Sequence, residues 1–214
     1  MRKKDRITQP EKKEKIKVWQ IILIFGFLQS TVTAIGTYFF DFFAGSATVG
    51  FGKMGEIEGT GMFFVYMVGY FNALIIILPI LKIRQFGMGT AIYLPYAIIG
   101  FFVEYYYELI KTKSLVSPWA VVGWCVFGLA TGFSADLSFK FLPSNLNLRN
   151  RTILTGIIMG LTNFILTLVA LTFFYVNPQT GSGSFLGIAY FGLPWLLVNS
   201  AFGGYTAYAI SKKI

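Results

Sequence analysis

Residues 61–81 read GMFFVYMVGYFNALIIILPIL, an apolar run that contains no Asp, Glu, Lys or Arg. A helix of roughly 20 apolar residues is long enough to cross the hydrocarbon core of a bilayer, which is about 30 Å thick. Five other runs along the chain have comparable length and composition. The sequence therefore predicts an all-α polytopic membrane protein, a compact bundle of six transmembrane helices at 18–40, 61–81, 87–110, 118–138, 152–176 and 185–210.

The overall composition agrees with lipid as the main solvent of this chain. Of the 214 residues, 55% are apolar and only 13% are charged, whereas a soluble domain carries about 25% charged residues. The chain has no His and one Cys, which excludes His-based acid–base catalysis, His-ligated metals and an intrachain disulfide. We therefore expect a protein that is not an enzyme and that holds neither a metal nor a cofactor.

The basic residues are distributed unevenly between the two sets of loops. With the N-terminus inside, the inner segments hold 15 of the 18 Lys and Arg residues, and the outer loops hold Lys53, Lys111 and Lys113. Cytoplasmic loops of membrane proteins carry such an excess. The pattern predicts a plasma-membrane protein with both termini in the cytoplasm, and it explains the net charge of +9 without a nucleic-acid partner. The predicted parts are a basic tail (1–17), one transmembrane domain (18–210) and a cytoplasmic C-terminus (211–214).

Polar and aromatic side chains within the spans are candidate ligand contacts, because a polar group inside a membrane needs a partner. Glu104 would accept hydrogen bonds from a ligand donor. Trp124 and Trp195 would stack on a planar ring, and Asn163 and Asn199 would bind its polar edges. Together they predict a site for a small organic solute. The alternative is structural: Glu104 bonded to a Tyr or Trp within the bundle, and the asparagines linking helices.

Three other features of the spans leave alternatives open. Asp136 reads as a helix-end carboxylate in the headgroup region or as a contact for a cytoplasmic partner. The outer loop 41–60 reads as a linker or as a lid over an outward-facing cavity. Small residues four apart let helix backbones approach closely, either inside the bundle or, on the first or last span, against another subunit. These pairs are Ser30/Ala34, Gly128/Gly132, Gly156/Gly160, Ser200/Gly204 and Gly203/Ala207.

Two stretches resemble a known class of transport subunit. Residues 117–142, SPWAVVGWCVFGLATGFSADLSFKFL, resemble the mid-chain segment of the substrate-binding S components of energy-coupling-factor (ECF) importers, of the type that binds the thiamine precursor hydroxymethylpyrimidine. Residues 201–213, AFGGYTAYAISKK, are similar to the small-residue last helix of many S components. The resemblance implies a vitamin-type ligand near the outer side, with a membrane T component and two cytoplasmic ABC ATPases as partners. It also implies a coupling surface for them at Ser30, Ala34 and Gly36.

The chain has no Gly-x-x-x-x-Gly-Lys-[Ser/Thr] loop, so it does not hydrolyse ATP by that route. The sequence therefore predicts an integral-membrane subunit that binds a vitamin or vitamin precursor for uptake, energised by separate ATPase subunits. The alternative is a structural or accessory subunit of a larger membrane complex without a small-molecule site. A third interpretation is a membrane-embedded enzyme acting on a lipid or quinone, and the lack of His and of clustered carboxylates argues against it.

Overall fold

The computed structural model describes residues 12–34, 59–112, 118–174 and 193–213. These residues form six helices and no strand, so the all-α part of the prediction is confirmed for this part of the chain. The helices are α1 (Lys12–Ala34), α2 (Gly59–Ile83), α3 (Met88–Thr112), α4 (Pro118–Phe141), α5 (Leu148–Phe174) and α6 (Leu193–Ser211).

The helix ends differ from the predicted spans at several places. Helix α1 begins at Lys12, so its first turns lie within the predicted basic tail 1–17. Helix α5 begins at Leu148, one turn before the predicted start of its span, because the side chain of Asn147 caps it by accepting a 2.8 Å hydrogen bond from the backbone N–H of Asn150. The loop 41–60, apart from its last two residues, and the residues 185–192 lie outside the described part of the chain.

Helix α2 is the central helix of the bundle. Helices α1, α3, α4, α5 and α6 follow one another in an arc, and α2 contacts all five. Its isoleucines Ile75, Ile76, Ile77 and Ile80 point in different directions around the helix, and all four are buried. A helix that is apolar all round is removed from water, either inside a protein core or in a membrane, and this segment is covered by the other five helices.

Two tight turns place the basic loops at one end of the bundle. The turn 84–87 joins α2 to α3, with Arg84 (φ 55°) and Gly87 (φ 90°) in the left-handed region that ends many helices. The six-residue segment 142–147 joins α4 to α5 at the same end. Because α6 runs parallel to α2 and antiparallel to α5, its C-terminus with Lys212 and Lys213 lies at this end too. We call this end the basic end.

A search of the described residues for a helix both long enough and apolar enough to cross a membrane finds none. The six membrane spans therefore stay a prediction.

Candidate functional site

The residues predicted to bind a ligand lie at similar heights on four successive helices of the arc. Glu104 lies in the second half of α3, and Trp124 lies in the first half of α4. Asn163 lies just beyond the middle of α5, while Trp195 and Asn199 lie in the first half of α6. At a rise of about 1.5 Å per residue, these positions are roughly 18–26 Å from the basic end. The predicted residues thus share one level of the bundle, as expected from their positions in the predicted spans.

The two asparagines of this set lie on helix faces that pack against different neighbours. Asn163 lies two turns from Gly156, on the face of α5 that packs against α6, and it is half-buried. Asn199 lies one turn from Gly203, on the face of α6 that packs against α2. The side chains of Glu104 and Trp124 lie outside the described part of the structure. The two asparagines are therefore separated by the body of α6 and do not form a pair.

Trp195 differs from its predicted environment. Its side chain is 58% exposed, whereas an indole that stacks on a ligand inside the bundle needs to be enclosed. Because Trp195 lies in the first turn of α6, the described neighbours cover less than half of its surface, and it suits a lateral surface better than the wall of a closed pocket.

Two polar contacts join helices closer to the middle of the bundle. The side-chain amide of Gln29 on α1 donates a hydrogen bond to the side-chain oxygen of Asn72 on α2, and both residues are buried. The hydroxyl of Tyr70 on α2 donates to the hydroxyl of Thr206 on α6 over 3.2 Å. Both contacts have α2 as one partner. The sequence alone does not reveal these two contacts, because it does not specify which helices are neighbours.

The predicted coupling residue Ser30 lies inside the bundle. It is buried, and its hydroxyl donates a 2.9 Å hydrogen bond to the carbonyl oxygen of Gly26, one turn earlier on α1. Gly26 in turn packs closely on Pro95 of α3, where an added Cβ would lie 2.8 Å from the proline ring. Ser30 therefore belongs to the face of α1 that packs within the chain. The side chain of Ala34 and the whole of Gly36 lie outside the described residues.

The small residues of α4, α5 and α6 pack within the chain. Gly132 and Gly89 bring α4 and α3 so close that a Cβ added at Gly132 would lie 2.6 Å from the carbonyl oxygen of Gly89. A Cβ at Gly156 or at Gly204 would collide with the backbone of the facing helix, at Ser200 and at Thr152 respectively. For these helices the internal-packing interpretation of the small pairs is confirmed.

Asp136 is buried and bonds α4 to the start of α3. Its carboxylate accepts hydrogen bonds from the backbone N–H of Gly89 (2.8 Å), from the backbone N–H of Thr90 (2.9 Å) and from the hydroxyl of Thr90 (2.7 Å). The first turn of a helix has unpaired N–H groups and a partial positive charge, which a carboxylate satisfies. The structure thus places this helix-end carboxylate inside the bundle, and the predicted contact with a cytoplasmic partner is wrong because both carboxylate oxygens are already bonded. The cap comes from a residue 47 positions away, a separation that local sequence patterns do not reveal.

Among the described residues there is no group of three or more His, Cys, Asp or Glu side chains placed to hold a metal ion. Comparisons with protein-family models, with curated proteins and with solved structures find no match. The likeness to S components therefore stays a prediction from the two quoted stretches.

Proposed function

We propose that this chain is an integral-membrane subunit of the plasma membrane that binds a small organic solute for uptake. The observation that carries the proposal is the distribution of side chains across the bundle. Large apolar residues cover its outside, and polar residues are among the buried ones beside an apolar core. Extended apolar surface in water leads to association, whereas lipid is a suitable solvent for it.

The exposed apolar residues form lengthwise stripes on the outer helices. On α3 they are Leu94, Ile98 and Phe102, which are spaced four residues apart and so lie on one face. Helix α5 carries a similar stripe at Leu161, Ile165 and Val169. No large apolar residue of the central helix α2 is exposed within its described side chains. Lipid chains are the solvent that such stripes suit.

Nine polar residues of the described part of the bundle are buried, and most of them bond to a backbone or to another side chain. Thr152 and Thr155 on α5, for example, donate 2.8 Å hydrogen bonds to the carbonyl oxygens of Arg149 and Arg151. In a membrane, polar groups are directed away from lipid and find partners inside the protein. The buried polar residues thus support the same location as the exposed apolar stripes.

The basic end supports the proposed orientation. The segments that meet there contain Lys82, Arg84, Lys140, Arg149 and Arg151, together with Lys212 and Lys213. A cytoplasmic location of this end agrees with the excess of Lys and Arg in inner loops. The predicted ligand residues, about 18–26 Å away along the helices, then fall in the outer half of the membrane, where an importer meets its solute.

The proposed partners supply the energy for uptake, which this chain has no phosphate-binding loop to provide. Without a phosphate-binding loop it needs energy from separate subunits, and the resemblance to ECF S components specifies a membrane T component and two ABC ATPases. The test is a pull-down of the tagged chain from native membranes in mild detergent, with the partners identified by mass spectrometry. Recovery of ATPase subunits and a second membrane protein is the expected result. Recovery of oxidase or other enzyme subunits would contradict the importer and favour an accessory subunit.

The ligand site has its own test at Glu104. A carboxylate that accepts a hydrogen bond from a bound donor contributes roughly 1.5–3 kcal/mol, so Glu104→Gln should lower solute affinity by a factor of about ten or more. Isothermal titration with hydroxymethylpyrimidine as the first solute measures this effect. The matched control is Gln85→Glu, which makes the reverse exchange between the same two residue types in the turn at the basic end. Equal affinity of wild type and Glu104→Gln for a solute that binds would remove Glu104 from the site.

A further inference from the structure

Exposed phenyl rings surround one ammonium group at the basic end. The Nζ of Lys140 lies 4.7 Å from the ring centroid of Phe86 and 5.4 Å from that of Phe141. The ring of Phe86 also packs edge-to-face on Phe133, with 6.3 Å between centroids. All three rings are exposed, Phe141 by 70%. The ammonium group of Lys140 therefore lies against an apolar surface, whereas a lysine at a helix end could extend into water instead.

This surface continues along α4 away from the basic end. Val126, Phe133 and Lys140 are spaced seven residues apart, so they lie on one face of the helix, and all three are exposed. The distance from Val126 to Lys140 along the axis is about 21 Å. We call Val126, Phe133, Phe86, Lys140 and Phe141 the Lys140 stripe. It has a positive charge near one end and apolar side chains along the rest of its length.

No acidic side chain of the neighbouring segments neutralises this charge. Within 82–90 and 126–151 the only acidic residue is Asp136. Its two carboxylate oxygens are bonded to Gly89 and Thr90 at the start of α3, and it is buried. The Lys140 stripe is therefore complementary to a molecule with an anionic head and an extended apolar tail.

We propose that the Lys140 stripe binds one anionic phospholipid, with its phosphate on Lys140 and an acyl chain along Phe133 and Val126. The proposal rests on the proposed function, since lipid reaches the stripe only when the bundle lies in a bilayer. An acidic segment of a cytoplasmic protein would contact Lys140 and Phe141, but nothing in it would use Phe133, about 10 Å further along α4. The length of the stripe therefore favours a lipid over an acidic partner.

The experiment is native mass spectrometry of the full chain in detergent, titrated with phosphatidylglycerol and with phosphatidylcholine of the same acyl chains. We expect one phosphatidylglycerol to bind more tightly than phosphatidylcholine. Lys140→Gln should weaken phosphatidylglycerol about fivefold, the factor that corresponds to roughly 1 kcal/mol for one basic side chain near an anionic surface. Phe133→Ala should weaken both lipids. The matched control is Lys213→Gln, which removes an equal charge from the same end. It should leave the affinity for the first phosphatidylglycerol that binds unchanged.

Several results would overturn the proposal. Equal affinities for the two lipids, or equal losses in Lys140→Gln and Lys213→Gln, would mean that no specific anion site exists. Loss of a protein partner in Lys140→Gln with unchanged lipid binding would assign the stripe to that partner. Extraction of the membranes with alkaline carbonate tests the membrane location separately from the lipid site. Release of the chain would overturn the membrane location and the lipid site together, whereas retention with unchanged phosphatidylglycerol binding in Lys140→Gln would overturn the lipid site alone.

Discussion

Helices α6 and α1 form the two ends of the arc and differ in how closely they pack on their neighbours. Helix α6 lies between α2 and α5 and presents a glycine to each: Gly203 packs on the backbone of Tyr70, and Gly204 packs on the backbone of Thr152. Helix α1 presents one glycine, Gly26, which packs on α3. Its contact with α2 includes the amide pair of Gln29 and Asn72.

Both helices leave large apolar residues exposed, and on α6 these are Trp195, Val198, Phe202 and Tyr205. The outward side of α1 presents large apolar residues over two adjacent lengthwise rows, so a wide face is uncovered. Its members are Trp19, Leu23, Ile24, Phe27 and Leu28, exposed by 43–65%. On α6 the small residues predicted as a possible subunit contact are already used inside the chain. A small-residue pattern therefore identifies where helices approach each other, but the partner helix can belong to the same chain.

The largest effect is expected where two backbones touch. Gly204→Ala places a methyl group against the backbone of Thr152, and neither backbone has room to move without shifting α5 or α6. We expect a loss of roughly 2–3 kcal/mol in the free energy of unfolding, measured by thermal unfolding in detergent. The control is Phe202→Ala, two residues away on the exposed side of α6. A similar stability of Gly204→Ala and wild type would show that α6 is not closely packed on α5 at this position.

A smaller loss is expected for the contact between Asp136 and the start of α3. Asp136→Asn keeps one acceptor oxygen but directs an N–H₂ group towards backbone N–H donors. Loss of a helix cap typically costs about 1–2 kcal/mol, so this variant should fall between Gly204→Ala and any change on α1. Chemical unfolding measures it, with Ser134→Ala as control, because the Ser134 hydroxyl bonds only to the carbonyl of Thr131 in its own helix. Equal losses in both variants would mean that the cap does not join the two helices.

How far the sequence predicts the structure depends on the range of each interaction. The six helices and the packing role of the glycines follow from local patterns, such as the apolar run 61–81 and the spacing of Gly156 and Gly160. The cap by Asp136 and the pairing of Gln29 with Asn72 do not, because each joins residues more than 40 positions apart. For the candidate ligand site, the common height of the residues was predictable from the spans. The exposure of Trp195 was not, since it depends on which neighbours cover the start of α6.

The amide pair of α1 and α2 can be measured by a double-mutant cycle. Gln29→Leu and Asn72→Leu each leave one buried amide without its partner, and the double variant removes both groups. Hydrogen bonds between helices in membranes contribute about 0.6 kcal/mol on average, so we expect a coupling free energy of that size, with the double variant losing less than the two single losses added together. Strictly additive losses would mean that the pair contributes nothing to holding α1, and its attachment would then depend on the contact of Gly26 with Pro95.

The smallest effect on stability is expected on the exposed face of α1. A substitution there can still reduce the binding of a membrane partner. Phe27 is 65% exposed, and substitutions at such sites change the free energy of unfolding by less than about 0.5 kcal/mol. If α1 docks against a membrane partner through this face, Phe27→Ala should reduce recovery of that partner in the pull-down while thermal unfolding stays the same. Ile165→Ala on the exposed face of α5 is the control, since it removes a similar apolar surface from another helix. Loss of the partner in Ile165→Ala but not in Phe27→Ala would place the contact on α5, and the edge helix would then be covered by lipid alone.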